Sequence, residues 1–132
     1  MSGIEKYLID TNVLIYFFDG KLTEKQTDIV IKIFEKSFII SVISKIEFLG
    51  FKEYLENEKY LEAKSFLSNA AVIPLSDSLI DPIIQLKQRL NLKLGDAIIG
   101  ATALKNNLTI VTRNQKVFHK IENLKIVNPF DD

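Results

Sequence analysis

The sequence contains no cysteine. A disulfide framework and thiolate metal sites are therefore excluded, and the absence fits a reducing cytoplasm. Long apolar runs are also lacking, because runs such as residues 13–18 and 70–75 fall far below the roughly 20 residues that cross a bilayer. The first residues, Met-Ser-Gly-Ile-Glu-Lys, lack a basic stretch followed by an apolar one, so no signal peptide is expected. We therefore expect a cytoplasmic protein with no membrane segment.

An excess of charge of one sign is missing as well. Lysine and arginine together number 17, as do aspartate and glutamate, so the net charge is zero. Passive nucleic-acid binders usually gain affinity from a basic face that releases counterions from phosphates, and the composition argues against that class. A neutral total is still compatible with a local basic rim around an acidic site. The basic residues near the acidic positions discussed below are Lys45, Lys52, Lys93, Arg113 and Lys116.

Short β-branched runs alternate with stretches of helical periodicity, a pattern typical of an α/β fold. We expect strands at residues 7–9, 38–42, 70–75, 108–112 and 125–127. We expect helices at residues 10–18, 23–35, 44–55, 58–68 and 77–90, and another that opens at Gly95 and Asp96. Strands separated by helices favour a mostly parallel sheet. The length of 132 residues, without repeats or low-complexity segments, predicts a single domain over residues 1–132.

Four acidic or amide positions occur at the ends of apolar segments or at helix starts: Asp10, Glu47, Asp96 and Asn114. Because the carboxyl ends of parallel strands meet at one edge of a sheet, we expect these side chains to converge there. Mg²⁺ and Mn²⁺ prefer hard oxygen ligands, and carboxylates supply both the oxygens and the balancing charge. Carboxylates brought together without a cation repel one another, and one takes up a proton. The pattern predicts a metal site that acts on phosphate.

Each of these positions by itself has a simpler interpretation. Asp10 and Asp96 are typical of helix caps, and Glu47 is typical of a solvated helix residue. Asn114 is typical of a turn. Only their joint occurrence, in this order along the chain, favours the metal site over these separate interpretations.

Other chemically distinctive residues are interpreted as structural. The single histidine, His119, is expected on the surface of a polar helix. The aromatic residues 16–18 are expected to be core or dimer contacts. Lys116 and Lys120 are expected to be solvated charges.

Four segments, in order, resemble the motifs of PIN-domain ribonucleases. Residues 7–15 (YLIDTNVLI) resemble the first motif, and residues 44–51 (SKIEFLGF) resemble the second. Residues 92–103 (LKLGDAIIGATA) are similar to the third motif, the most specific of the set, and residues 108–114 (LTIVTRN) resemble the fourth. The length and residues 126–130 (IVNPF) are similar to the VapC toxin subfamily of toxin–antitoxin pairs.

The resemblance implies an α/β/α sandwich with a mostly parallel central sheet. It also implies an endoribonuclease that depends on Mg²⁺ or Mn²⁺ and hydrolyses RNA phosphodiester bonds. The expected partners are an RNA substrate, a second copy in a homodimer, and a cognate antitoxin that inhibits the enzyme in a type II toxin–antitoxin pair.

The resemblance also assigns roles to the candidate residues. Asp10 and Asp96 would hold the metal, which lowers the pKa of bound water and neutralises phosphate oxygens. Glu47 would complete the metal shell directly or through water, or act as the general base. Thr112 and Asn114 would hydrogen-bond metal-bound waters or the scissile phosphate.

The fourth motif departs from the pattern of many relatives. These carry an aspartate either at the place of Asn114 or just before the phenylalanine that matches Phe118, where this chain has Val117. Both one-metal and two-metal centres therefore stay open. Asn12 is expected to brace the loop after the first strand, and Arg113 with nearby lysines to contact the RNA backbone.

Two alternatives belong to other classes. The uncharged fourth motif is compatible with a catalytically impaired PIN-like module that binds RNA or a protein partner. A phosphoacceptor signalling domain also places an aspartate after a strand, but it requires a pair of acids there. The first strand is followed by one acid, Asp10, which disfavours this class.

Overall fold

The computed structural model describes residues 5–55 and 57–130. Within them five strands form one sheet in the order β3-β2-β1-β4-β5, and every strand pair is parallel. The strands are β1 (Tyr7–Ile9), β2 (Ile39–Ser41), β3 (Ala71–Ile73), β4 (Thr109–Val111) and β5 (Ile126–Val127). The expected parallel sheet is confirmed, and each expected strand is present; β1 has the expected bounds, and the other strands are one to three residues shorter than expected.

Helices make the connections that a parallel sheet requires. They are α1 (Thr11–Phe18), α2 (Glu24–Lys36), α3 (Val42–Leu49), α4 (Asn57–Leu67), α5 (Asp77–Arg89), α6 (Leu94–Lys105) and α7 (Gln115–Phe118). A short 3₁₀ turn, Lys52–Tyr54, lies between α3 and α4. None of the helices in the described part of the chain is long and apolar enough to cross a membrane.

The sheet is covered on both faces, because successive strand residues point to opposite sides. Leu8 packs into one buried cluster with residues of α5 and α6. Its neighbours Tyr7 and Ile9 pack into the other cluster, with residues of α1, α2 and α4. This alternation is the physical basis of the α/β/α sandwich, and the predicted fold class is confirmed.

Helix α6 is buried along most of its length, from Ala97 to Ala103. Its small residues allow neighbours to approach closely. A Cβ atom added at Gly100 would lie only 2.4 Å from Cδ1 of Ile121. At Gly100 the missing side chain therefore lets the segment after α7 pack closely against α6.

The helix predicted over residues 44–55 is wrong in its bounds. Helix α3 ends at Leu49, where the Gly50 N–H donates to the carbonyl oxygen of Ile46 at 2.8 Å and the Phe51 N–H to that of Phe48 at 3.2 Å. The chain then turns, which buries Tyr54 at 2% exposure while leaving Leu55 80% exposed. Helical periodicity alone predicted that Leu55 lies on the buried face. In the structure the Tyr54 ring packs into the core instead.

The order of connections reverses at β1. The chain runs from β1 outward to β2 and β3, and then returns to place β4 and β5 on the other side of β1. Loops after β1 and β4 therefore leave the sheet in opposite directions and open a crevice at their carboxyl ends. In open α/β sheets this reversal is where ligands bind.

Candidate metal centre

Asp10 lies in this crevice, directly after β1, as the N-cap residue of α1. Its backbone N–H extends the sheet ladder by donating to the carbonyl oxygen of Val111 at 2.9 Å. The carboxylate is buried, at 5% exposure. It accepts three hydrogen bonds: from the Thr11 N–H at 2.8 Å, from Thr112 Oγ1 at 2.7 Å and from Asn12 Nδ2 at 3.1 Å. These bonds hold the carboxylate in one orientation.

The environment of Asp10 disfavours its negative charge. Burial raises the pKa of the Asp10 carboxyl from 3.8 to about 6. Hydrogen bonds from Thr112 and Thr11 act in the opposite direction, while the charges of Asp96 and Glu47 add to the increase. A cation in the crevice would stabilise the ionised form in place of the proton.

Glu47 reaches the same crevice from α3. Although the residue as a whole is exposed, its Oε1 accepts a 2.6 Å hydrogen bond from Thr11 Oγ1. The Thr11 hydroxyl also lies within hydrogen-bonding distance, 3.0 Å, of Ser44 Oγ. A Cβ atom added at Gly95 would lie 3.0 Å from Glu47 Oε2, so the first turn of α6 approaches the carboxylate closely.

Asp96 is the third residue of α6 and is half-buried. Lys93 occupies the N-cap position, so the helix-cap interpretation of Asp96 does not hold in its simple form. Burial raises the pKa of the Asp96 carboxyl, the charge of Glu47 raises it further, and that of Lys93 lowers it. The charges of Asp96 and Glu47 thus act on Asp10, and the charge of Glu47 also acts on Asp96.

The three carboxylates share a crevice without forming a closed cage. Among the residues that the structure describes, no three acidic or histidine side chains surround a common point at metal-binding distances. Like charges repel, so carboxylates at short range stay apart unless a cation lies between them. The donor set consists of oxygen atoms, which fits Mg²⁺ or Mn²⁺ by its chemistry.

Thr112 and Asn114 lie at different depths. Thr112 is fully buried, and its hydroxyl both donates to Asp10 and accepts a 2.9 Å hydrogen bond from the Asn114 N–H. The Asn114 side chain is exposed and makes no capping bond to α7. With Asn12 and Arg113 it lines a cavity of about 330 Å³ at the rim of the crevice.

Sequence reasoning missed two hydroxyls, Thr11 and Ser44. Both are buried, and both lie beside the Glu47 carboxylate or its partner. The available signal was spacing, because Ser44 precedes Glu47 by three residues on one helix and shares its face. Asn12 braces its loop as predicted, since its amide also accepts a 3.2 Å bond from the Arg113 N–H.

The residues interpreted as structural are found in such places. His119 is exposed at the end of α7. Phe17 and Phe18 pack against the core cluster that contains Phe48, and Tyr16 packs edge-on against Phe130 with ring centroids 5.3 Å apart.

Comparison with protein families identifies the family to which this chain belongs. The PIN-domain family model matches residues 7–124, which contain every candidate residue. The chain belongs to the PIN-domain family. The predicted resemblance is confirmed, and the crevice at β1 and β4 is the crevice of a PIN domain. No curated protein sequence matches this chain.

Chains in several solved structures have the same fold as this one. A chain of a toxin–antitoxin complex from Klebsiella pneumoniae is 30% identical, with a TM-score of 0.78, and the match covers 96% of this chain and 100% of that one. VapBC2 from Rickettsia felis, bound to a promoter DNA fragment, is 24% identical over 92% and 97% of the two chains, with a TM-score of 0.78. DNA-bound VapBC from Salmonella typhimurium is 22% identical over 95% and 98%, with a TM-score of 0.80. The similarity to the last two structures is a similarity of fold.

Proposed function

We propose that this PIN domain is an endoribonuclease that depends on Mg²⁺ or Mn²⁺ and is the toxin of a type II toxin–antitoxin pair. One observation carries the proposal: the buried Asp10 carboxyl shares its crevice with Glu47 and Asp96, and the charges of both raise its pKa. A fold gains nothing from this mutual repulsion, so a divalent cation acting on phosphate accounts for it best.

Asp10 and Asp96 would hold the cation, and Glu47 would complete its shell through a bound water. When bound, a divalent cation neutralises phosphate oxygens and lowers the pKa of water. The hydrogen bonds from Thr112 and Thr11 hold Asp10 and Glu47 in place before substrate arrives, which is the preorganisation that catalysis requires. Glu47 is exposed, whereas Asp10 is buried and Asp96 is half-buried. Glu47 is therefore the residue assigned to take a proton from the attacking water.

The remaining polar residues would act on the substrate. The exposed amide of Asn114 is assigned to the scissile phosphate, with Thr112 as its support through the 2.9 Å bond to the Asn114 N–H. The water oxygen forms a bond to phosphorus as its proton passes to Glu47, the bond from phosphorus to the leaving ribose oxygen breaks, and that oxygen takes up a proton from solvent. No side chain becomes covalently attached in this reaction.

The toxin role is supported by the relatives. The structures from Klebsiella pneumoniae and Salmonella typhimurium are toxin–antitoxin and VapBC complexes. By analogy we propose a cognate antitoxin as the protein partner and a homodimer as the active form. The cytoplasmic location and the extent of the domain over residues 1–132 stay predictions.

The test of the enzyme proposal is cleavage of single-stranded RNA by Asp10→Asn and Asp96→Asn with Mg²⁺ or Mn²⁺. Both variants should lose cleavage while their circular dichroism spectra and cooperative unfolding are retained. Asp28→Asn removes an exposed carboxylate on α2 and should cleave as the wild type does. Undiminished cleavage by either Asp10→Asn or Asp96→Asn removes the proposed site.

One observation favours a second function, that of a catalytically impaired module. Asn114 is exposed and uncharged, so this part of the crevice contributes no carboxylate. Mn²⁺ should raise the melting temperature of the wild type and not that of Asp10→Asn if the metal site exists. Metal-dependent stabilisation without RNA cleavage, together with cleavage gained by Asn114→Asp, would favour the impaired module.

A further inference from the structure

Arg113 extends the crevice beyond the carboxylates. It directly follows the buried Thr112, and its backbone N–H donates to Asn12 Oδ1 at 3.2 Å. Asn12 in turn donates to Asp10 Oδ2 at 3.1 Å. Two hydrogen bonds therefore connect the Arg113 backbone to the Asp10 carboxylate. These bonds fix the Arg113 backbone relative to Asp10. The Arg113 side chain is exposed, so its charge faces solvent.

Two aromatic rings hold the guanidinium group. Its Cζ atom lies 4.8 Å from the ring centroid of Tyr16 and 5.5 Å from that of Phe130. One guanidinium N–H also donates to the Tyr16 hydroxyl. Aromatic faces attract the cation without neutralising it as a carboxylate does. Arg113 thus keeps its charge and several of its donors for a ligand.

The ring of Phe130 is itself fixed. It packs edge-on against Tyr16, and its backbone N–H donates to Asn128 Oδ1 at 2.9 Å. Its carbonyl oxygen accepts a 3.4 Å bond from Gln26 Nε2 of α2. The segment after β5 is therefore attached to α1 and α2, and it restricts the guanidinium to one side of the crevice.

The cavity beside Arg113 has the chemistry of an anion site. Its lining residues are Asn12, Arg113 and Asn114, which are two amides and one guanidinium. Its volume of about 330 Å³ is at the lower end of small-ligand sites. Guanidinium groups bind phosphate oxygens through paired N–H donors. A phosphate is the ligand that this lining fits.

We propose that Arg113 binds a backbone phosphate of single-stranded RNA next to the scissile one, and that Tyr16 and Phe130 are positioning residues for its guanidinium. This inference rests on the proposed function, because that function makes RNA the ligand. It assigns to a neutral protein the local positive charge that contacts the polymer. The contact is independent of base sequence, since it is made to phosphate.

The experiment measures RNA binding without cleavage. Fluorescence anisotropy with a labelled single-stranded RNA, in metal-free buffer and over a series of KCl concentrations, gives Kd for the Asp96→Asn protein and for variants made in it. Arg113→Gln should raise Kd roughly ten-fold at low salt. The slope of log Kd against log[KCl] should fall by about 0.7, the value for one lost phosphate contact on a single strand.

Conservative variants separate positioning from charge. Arg113→Lys should restore the salt slope and only part of the affinity, because an ammonium group lacks the paired donors. Phe130→Leu keeps the cation, so it should raise Kd a few-fold with an unchanged slope. Tyr16→Phe removes the hydroxyl contact and keeps the ring, and its thermal unfolding should match that of the parent. Lys120→Gln, an exposed charge after α7, is the matched control and should change neither quantity.

Each outcome of this experiment either supports or overturns the phosphate contact of Arg113. An unchanged Kd and slope for Arg113→Gln overturns the inference, and leaves the enzyme proposal standing if the wild type cleaves RNA. Loss of RNA binding in Arg113→Gln, in a protein whose wild type cleaves no RNA, supports the phosphate contact and removes the enzyme. Absence of measurable RNA binding by the Asp96→Asn parent at low salt overturns the contact.

Discussion

The hydroxyl of Thr112 donates a 2.7 Å hydrogen bond to Oδ2 of Asp10, although the two residues are 102 positions apart in sequence. The bond joins the ends of β4 and β1, the two neighbouring strands at which the chain order reverses. It lowers the pKa of a carboxyl that burial raises. The same hydroxyl accepts a bond from the Asn114 N–H, so one buried side chain links the two candidate residues Asp10 and Asn114.

Thr112→Val should therefore raise the pKa of Asp10 further, because the bond that favours its ionised form is lost. The lost bond inside a buried network should also reduce the free energy of unfolding by about 1–3 kcal/mol. The Asp10 titration, followed by the carboxyl carbon in NMR, and the acid limb of the cleavage rate should both move to higher pH.

Thr109→Val is the matched control for this prediction. Thr109 lies at the other end of the same strand and donates a 2.7 Å bond to Glu5 Oε2. Its loss should reduce stability without moving the Asp10 titration. An Asp10 pKa that is identical in Thr112→Val and the wild type would show that the bond does not tune the site.

The pKa of Asp10 predicts a dependence of stability on pH in metal-free buffer. The ordinary pKa of an aspartate carboxyl is 3.8, and that of Asp10 in the folded protein is about 6. The folded state therefore holds the proton more tightly than the unfolded state. The stability from this group is complete below pH 4 and is lost as the pH rises through about 6. The difference between the two pKa values corresponds to about 3 kcal/mol.

Urea unfolding at pH 4.5 and pH 7.5 with EDTA measures this effect. The free energy of unfolding of Asp10→Asn should not fall between these two pH values, and at pH 7.5 this variant should be more stable than the wild type. Asp28→Asn, on the exposed face of α2, should follow the wild type. Parallel pH curves for the wild type and Asp10→Asn would contradict the raised pKa.

Thr11→Val tests the support of Glu47. The 2.6 Å bond from Thr11 Oγ1 holds the carboxylate against α1, and valine keeps the branched shape without the donor. Stability should fall by about 1 kcal/mol, while the cleavage rate should fall about 10- to 100-fold through misplacement of Glu47. Thr27→Val, which loses a 2.8 Å bond to the Thr23 carbonyl on α2, should lose stability alone. Equal cleavage by the two variants would remove the role of Thr11.

Gly95→Ala tests the close approach of α6 to Glu47. The added Cβ atom would lie 3.0 Å from Glu47 Oε2, so the exposed carboxylate has to move. Stability should be unchanged or higher by up to about 1 kcal/mol, because alanine favours the helix, whereas the cleavage rate should fall.

Gly100→Ala on the same helix gives the opposite pattern. Its Cβ atom would lie 2.4 Å from Cδ1 of the buried Ile121, so repacking should reduce stability by about 1–3 kcal/mol. Thermal unfolding and cleavage rates of both variants make the comparison. Full activity in Gly95→Ala would mean that the position of Glu47 is not constrained by α6.

Much of the architecture was readable from local pattern. Short β-branched runs predicted all five strands, since a strand buried on both faces leaves a recognisable apolar segment. The error at residues 44–55 came from Gly50, whose N–H donates to the Ile46 carbonyl oxygen where α3 ends. Periodicity extended the helix past this point because it takes no account of the turn that buries Tyr54.

The sequence by itself determined which residues carry oxygen donors and that they follow strands or open helices, because propensity and periodicity are local properties. It also carried the four motifs of a PIN domain. Only the tertiary structure decided that Thr11 and Thr112 hold Glu47 and Asp10, and that Asn114 stays at the rim. Those contacts join positions 36 and 102 residues apart, and their distances depend on how the helices pack over the sheet, which local sequence does not encode.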